Sequence, residues 1–207
     1  MISWATSDGR ERDGDRVVPA ASTIKLFVVS AFWRSGLDPG EAVDVPPVPW
    51  SVADSLASAT LGDCALLSLA FSDNAATNVL LARLGLDTVN AEAARLGCER
   101  TEVRRPMVSD GPENQTCARD LARGLAAIED DRVLEPLGRA HDSELPLRLA
   151  GHDVRVKTGE LWPAAYHEVA LVDGRFAVAV CSAPAVLPGE VAAIAESLFR
   201  GSAPQEG

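Results

Sequence analysis

Three short stretches carry residue types that together can cleave an acyl bond. "ASTIKL" sets Ser22 and Lys25 three apart at the head of an apolar run. On a helix that spacing shares one face, and a serine in the first turn sits near the positive end of the helix dipole. Serine needs a base beside it to act as a nucleophile. An amine can serve once burial or a second cation has lowered its proton affinity. Arginine cannot, because its guanidinium keeps its proton. The chain has 19 cationic residues, and Lys25 and Lys157 are its only lysines.

"SDN", residues 72–74, lies between two helical runs, where Ser72 can relay a proton and the Asn74 amide can hold a substrate carbonyl. "KTG", residues 157–159, falls on a strand. There Lys157 and Thr158 suit a substrate carboxylate, and Gly159 lets a ligand approach the backbone. Each stretch alone has an ordinary explanation: a chance S-x-x-K, a helix cap, a strand-edge lysine. Their shared order, and their claim on both lysines, argue for one site.

The elements that must position these groups follow from the pattern. Residues 2–19 read as a β-hairpin of "ISWAT" and "RVVP" about a turn. A helix runs from Thr23 to about Arg34, apolar nearly all round and so buried, with Gly36 as its stop. Residues 39–49 are a proline-rich loop. Helices follow over "DCALLSLAF" with Asp63 as N-cap, "AATNVLLARLG" ending at Gly85, and "LDTVNAEAARLG" ending at Gly97. Residues 101–116 read as a loop, then come helices over "CARDLARGLAAIED", capped by Thr116, and "RVLEPLGRAH". "DVRVKTGE", "YHEVALVDG" and "RFAVAVCSA" are strands, the last two joined by an Asp-Gly hairpin turn. A helix over "GEVAAIAESLFR" closes the chain. The fold class is α/β of the α+β type: a mixed, mainly antiparallel sheet from N- and C-terminal strands, flanked by helices, with a helical lobe between. One domain is expected over 1–207, its sheet lobe from about 1–34 and 150–207 and its helical lobe from about 35–149, with the ligand cleft between lobes.

Composition narrows the partners. A net charge of −11 and the lack of a basic run argue against nucleic acid. The longest apolar stretch, 24–33, is too short for a bilayer span and is interrupted by Lys25. With no basic-then-apolar start, the chain reads as cytoplasmic, or as secreted where a leader precedes it. Cys64, Cys98, Cys117 and Cys181 are scattered without C-x-x-C pairs, so neither a zinc site nor a disulfide framework is expected. His141, His152 and His167 fall in no metal-ligand spacing. Trp50 either lines the cleft or anchors its loop, and Tyr166 is read as packing.

The set S-x-x-K, S-D-N, K-T-G is a signature of class A β-lactamases and penicillin-binding proteins. The chain resembles the class A β-lactamase-like serine hydrolases over nearly its whole length, closely in "AASTIKL", "FSDNAATNVLL" and "VKTGEL". The resemblance implies a β-lactamase/transpeptidase-like fold, and no feature of the sequence points to a metal or organic cofactor. It implies Ser22 as acylated nucleophile, Lys25 as its base and Ser72 as proton shuttle with Lys157. Asn74 would bind the acylamide, and Lys157 and Thr158 the carboxylate. The backbone N–H groups of Ser22 and Glu160 would form the oxyanion hole. The substrate would be a small β-lactam, or a related acyl amide or peptide; no sequence feature specifies an oligomeric state.

One element departs from the family. Its hydrolytic glutamate lies in an Arg-x-Glu-x-x-x-Asn loop, and the corresponding "VRRPMVSDGPENQT" places Met107 two residues after Arg105. Asp110 and Glu113 are the nearest carboxylates, with solvation their ordinary role. Acylation of Ser22 with slow release is therefore expected. A D-alanyl-D-alanine peptidase, another amide or ester hydrolase, and a non-enzymatic β-lactam or peptide sensor are the alternatives.

Overall fold

A computed structural model describes residues 1–53, 56, 58–140 and 142–202. Its strands are β1 (Ile2–Thr6), β2 (Glu11–Arg12), β3 (Val18–Pro19), β4 (Ala42–Val43), β5 (Ala59–Thr60), β6 (Gln115–Thr116), β7 (Val154–Leu161), β8 (Ala165–Val172) and β9 (Phe176–Ser182). Its helices are α1 (Lys25–Ser35), α2 (Leu61–Ala70), α3 (Asn74–Leu84), α4 (Leu86–Arg95), α5 (Ala118–Ala126), α6 (Asp131–Leu137), α7 (Leu145–Arg148) and α8 (Pro188–Arg200). A 3-10 turn over Ala21–Ile24 leads into α1.

Five strands form one sheet in the order β2-β1-β9-β8-β7, so the first strand of the chain lies beside the last. Every pairing in it is antiparallel. Strand alternation gives the sheet two apolar faces. Tyr166, Ala170, Val178 and Val180 pack with Val191, Ala192 and Ala195 of α8. Val169, Leu171, Ala177 and Ala179 pack on the other side with α1 and α5. Helix α1 is buried from Lys25 to Phe32 and touches α2, α3, α4 and α6, as its all-round apolar sequence requires. α5 packs on β1, β8 and β9.

Several boundaries differ from those read in the sequence. The N-terminal hairpin closes early: Thr6 N–H donates to Arg10 C=O (2.9 Å) and Gly9 takes a φ of 90°, so β1 pairs with Glu11–Arg12. "RVVP" instead supplies β3, which pairs with β6 beside the 101–116 loop. Asp63 is not the N-cap of α2. Thr60 is, its hydroxyl accepting from Asp63 N–H (3.1 Å) while Asp63 accepts from Thr60 N–H (2.8 Å), a capping box. Thr116 does not cap α5, because its hydroxyl is bonded to that of Thr101 (2.9 Å). α7, of four residues, is too short to show periodicity.

Candidate active site

The 3-10 turn delivers Ser22 and α1 delivers Lys25. The turn packs against β7, the edge strand of the sheet, at Gly159. A Cβ on Gly159 would stand 2.8 Å from Thr23 Cγ2, 3.1 Å from Thr23 N and 3.2 Å from Ala20 O. Glycine at 159 thus lets the strand close on the turn that bears Ser22, a different use from the ligand approach read in the sequence.

Lys25 and Lys157 are buried, at 0% and 1% exposure, and both reach Ser72. Lys25 Nζ donates to Ser72 Oγ (3.2 Å), to Asn74 Oδ1 (2.8 Å) and to the Ser72 carbonyl. Lys157 Nζ donates to the same Ser72 Oγ (2.9 Å) and to Thr158 C=O (2.8 Å). Burial, then the charge of Lys157, holds Lys25 well below the ordinary lysine range, against the pull of Asp73 and Asp142. Burial lowers Lys157 to about 8, with Asp142 opposing it. These are the conditions an amine needs to accept a proton near neutral pH.

Ser72 holds this position at a φ of 54°, a left-handed conformation costly for a non-glycine residue. Asp73 anchors it. Oδ1 caps α3 through Ala76 N–H (2.8 Å), and Oδ2 accepts Val52 N–H (2.7 Å) and Ala53 N–H (3.0 Å). The cap explanation thus holds for Asp73, while Ser72 and Asn74 face the lysines. Ala21, Trp50 and Val108 also have positive φ and line the cleft, so four of the six such non-glycine residues among those described border this region. Strained backbone tends to gather at functional sites.

The cleft, about 660 Å³, is lined by Ser22, Asn74, Trp50, Met107, Arg105 and Glu160 among others. The half-buried Ser22 hydroxyl opens into it, and among the described residues none hydrogen-bonds that hydroxyl; such contacts often tighten only when substrate is bound. Trp50 is 84% exposed, so it forms the mouth rather than anchoring its loop. The Thr158 carbonyl accepts Lys157 on the open edge of β7, and alternation places the Glu160 N–H on that same edge. Thr158 departs from its expected setting: its hydroxyl donates to Asp142 Oδ2, on the sheet face away from Lys157.

The loop before α5 is rigidly held. Asn78 grips Met107 from both sides, accepting its N–H (2.7 Å) and donating to its carbonyl (3.0 Å). The buried Asn114 accepts Arg104 N–H (2.7 Å) and Arg105 N–H (3.0 Å) and donates to Arg105 C=O (3.1 Å). Its own carbonyl takes the Ala20 N–H (2.7 Å), tying the loop to the Ser22 turn. Glu113 is paired with Arg105, and Asp110 lines the cleft but is exposed.

The scan against protein families matches the β-lactamase enzyme family over residues 3–197. The chain belongs to the β-lactamase enzyme family. Among solved structures it is similar to an ancestral class A β-lactamase (TM-score 0.85, 19% identity, 97% of this chain and 94% of that one covered). It is also similar to the class A β-lactamase from Mycobacterium abscessus (TM-score 0.81, 23% identity, 97% and 93% covered). A search of curated proteins gave no match. At these identities the structural likeness speaks to the fold, which is that of class A β-lactamases.

The remaining residues of this family member have structural settings. His167 Nε2–H donates to Pro19 C=O (2.7 Å) and its Nδ1 accepts Ser182 N–H (3.2 Å), which fixes a neutral tautomer that burial favours. Tyr166 is buried, and its hydroxyl donates to Glu168 Oε1 (3.0 Å). His152 pairs with Asp173; His141 lies outside the described residues. The four cysteines are buried, unpaired thiols. Among the described residues no group of acids, histidines and cysteines is arranged to hold a metal, and no helix is long and apolar enough to cross a membrane. Sequence reasoning missed Asp142, Asn78 and Asn114, which act through backbone or distant partners.

Proposed function

We propose that the protein is a serine hydrolase of the β-lactamase type that forms an acyl-enzyme at Ser22 with β-lactams or related activated amides and releases it slowly. One observation carries this reading: two buried lysines converge on the Ser72 hydroxyl beneath the cleft into which Ser22 opens. Neutral Lys25 takes the Ser22 proton as Oγ bonds to the carbonyl carbon. The C–N bond breaks, and the leaving nitrogen is protonated through Ser72, whose hydroxyl is refilled from the ammonium groups it touches. The N–H groups of Ser22 and Glu160 receive the developing oxyanion, each such donor typically contributing about 3 kcal/mol.

Release requires water to add to the acyl carbonyl and Ser22 to regain its proton. Met107, clamped by Asn78 at the place the resemblance assigns to the base, cannot accept that proton. This favours an acyl-trapping sensor as second reading over fast hydrolysis. Intact-protein mass spectrometry after incubation with penicillin, beside Ser22→Ala, tests both. A lasting adduct on wild type only is expected. No adduct and no hydrolysis refutes acylation, and rapid turnover of a chromogenic cephalosporin refutes slow release.

A further inference from the structure

One peptide group just before Ser22 is held at both ends. Its carbonyl, that of Pro19, accepts His167 Nε2–H (2.7 Å) from β8. Its N–H, that of Ala20, donates to the Asn114 carbonyl (2.7 Å) in the 101–116 loop. A peptide group is planar, so two anchors of this kind fix its tilt. Ala20 follows in the right-handed region (φ −71°, ψ −22°), and then Ala21 at a φ of 47°. A non-glycine residue stays in that left-handed region only where its surroundings impose it. Ser22 is next. The dihedral angles of Ala20 and Ala21 alone stand between the clamped peptide and the direction of the Ser22 N–H, and they also set where the Ser22 Cα lies.

His167 reaches Pro19 because of what it faces. It lies directly across the β7–β8 ladder from Gly159, and residues paired in this way share a face of the sheet. Gly159 leaves room for Ala20 and Thr23 to come down on β7. The imidazole beside it meets the carbonyl of the descending chain. The ring is itself fixed: it is 0% exposed, and its Nδ1 accepts Ser182 N–H (3.2 Å) from β9. That bond leaves the proton on Nε2, the nitrogen that faces Pro19. The sheet interior thus sets the tautomer, the tautomer supplies the donor, and the donor holds the peptide.

We infer that His167 is a positioning residue for acylation: its Nε2–H aligns the Ser22 turn through the Pro19 carbonyl, from outside the residues that line the cleft. This rests on Ser22 as the acylated residue and adds a residue that belongs to none of the three motifs.

Two variants separate the donor from the rest of the ring. His167→Gln keeps an N–H at about the reach of Nε2, and His167→Phe keeps the bulk without a donor. Neither offers Ser182 N–H an acceptor in the place of Nδ1, so both are expected to have lower thermal midpoints than wild type. Penicillin adduct formation is timed by intact-protein mass spectrometry, at a temperature where circular dichroism shows all three proteins folded. His167→Phe is expected to acylate about tenfold or more slowly than wild type, and His167→Gln within about threefold of it. Exchange of the Ala20 and Thr23 amides, whose N–H groups donate to the Asn114 and Ala20 carbonyls, is followed by NMR. It is expected to be faster in His167→Phe and close to wild type in His167→Gln. A His167→Phe variant that acylates at the wild-type rate, or keeps wild-type exchange at both amides, overturns the inference. So does a His167→Gln variant no faster than His167→Phe, because loss of stability alone would slow the two together. If His167→Phe does not fold, His167→Leu is judged by the same outcomes. A wild type that forms no adduct overturns the Ser22 reading, while faster amide exchange in His167→Phe alone supports the hold of His167 on the turn.

Discussion

Lys25 and Lys157 share one acceptor, and each carries a burial penalty that a chain otherwise furnished with arginine avoids elsewhere. Arginine could provide the charge but not the proton acceptor, so Lys25→Arg is expected to lower Ser22 acylation by at least about 100-fold, measured as adduct formation in time. The two lysines are also coupled. The charge of Lys157 depresses Lys25, so Lys157→Gln raises the proton affinity of Lys25, and the acid limb of the acylation profile moves to higher pH. A limb that stays in place or moves down would show that Lys25 is not the titrating base. At Met107, the Asn78 clamp holds the backbone whatever the side chain. Met107→Glu places a carboxylate in the cleft without refolding the loop. Faster decay of the acyl-enzyme is expected, of order 10²-fold for an added general base, followed as return of free enzyme by mass.

Among the elements, the meeting of β7 with the 3-10 turn matters most. Gly159→Ala forces a methyl into Thr23 and Ala20, and overpacking of this kind costs about 1–3 kcal/mol. A lower thermal midpoint together with slower Ser22 labelling is expected; an unchanged midpoint would mean the turn yields freely. The strands around this contact were readable in the sequence: β7, β8 and β9 follow from β-rich runs, and Asp173–Gly174 takes the positive φ values that their hairpin turn demands. The three motifs marked Ser22, Lys25, Ser72 and Lys157 for a similar reason, since each is a signature of a few adjacent residues. Thr158–Asp142 was not readable, because Asp142 precedes a four-residue helix in an irregular stretch that no period describes. The Thr60–Asp63 box was misread by one turn because both residues can cap, and only the backbone of Thr60 is extended. Met107 was found by its offset from Arg105, whereas its clamp by Asn78 spans 29 residues and leaves no trace in spacing.

At the scale of the whole molecule, buried titrating groups tie stability to pH. Lys157 has a folded value of about 8 against about 10.4 in an unfolded chain, so the unfolded state binds more protons between them and stability rises with pH across that window. At neutral pH the burial costs about 3 kcal/mol, so Lys157→Met is expected to unfold at higher temperature while losing acylation. His167 acts lower on the scale. Its folded value lies below the ordinary 6.5, so its contribution is complete above 6.5 and fades as pH falls beneath it. Urea midpoints of wild type are expected to drop between pH 7 and 5 more steeply than those of His167→Gln. The sheet itself imposes an order of events. Its inner neighbours β1 and β9 come from opposite ends of the chain, Met1 reaching Ala183 across 182 positions, and Lys157 belongs to the late segment. A ribosome releases the turn that bears Ser22 long before the strand that packs against it. A nascent or truncated product that stops short of β7 therefore lacks Lys157 and leaves the Ser22 turn without its strand, so the candidate site is assembled only in the final stretch of synthesis.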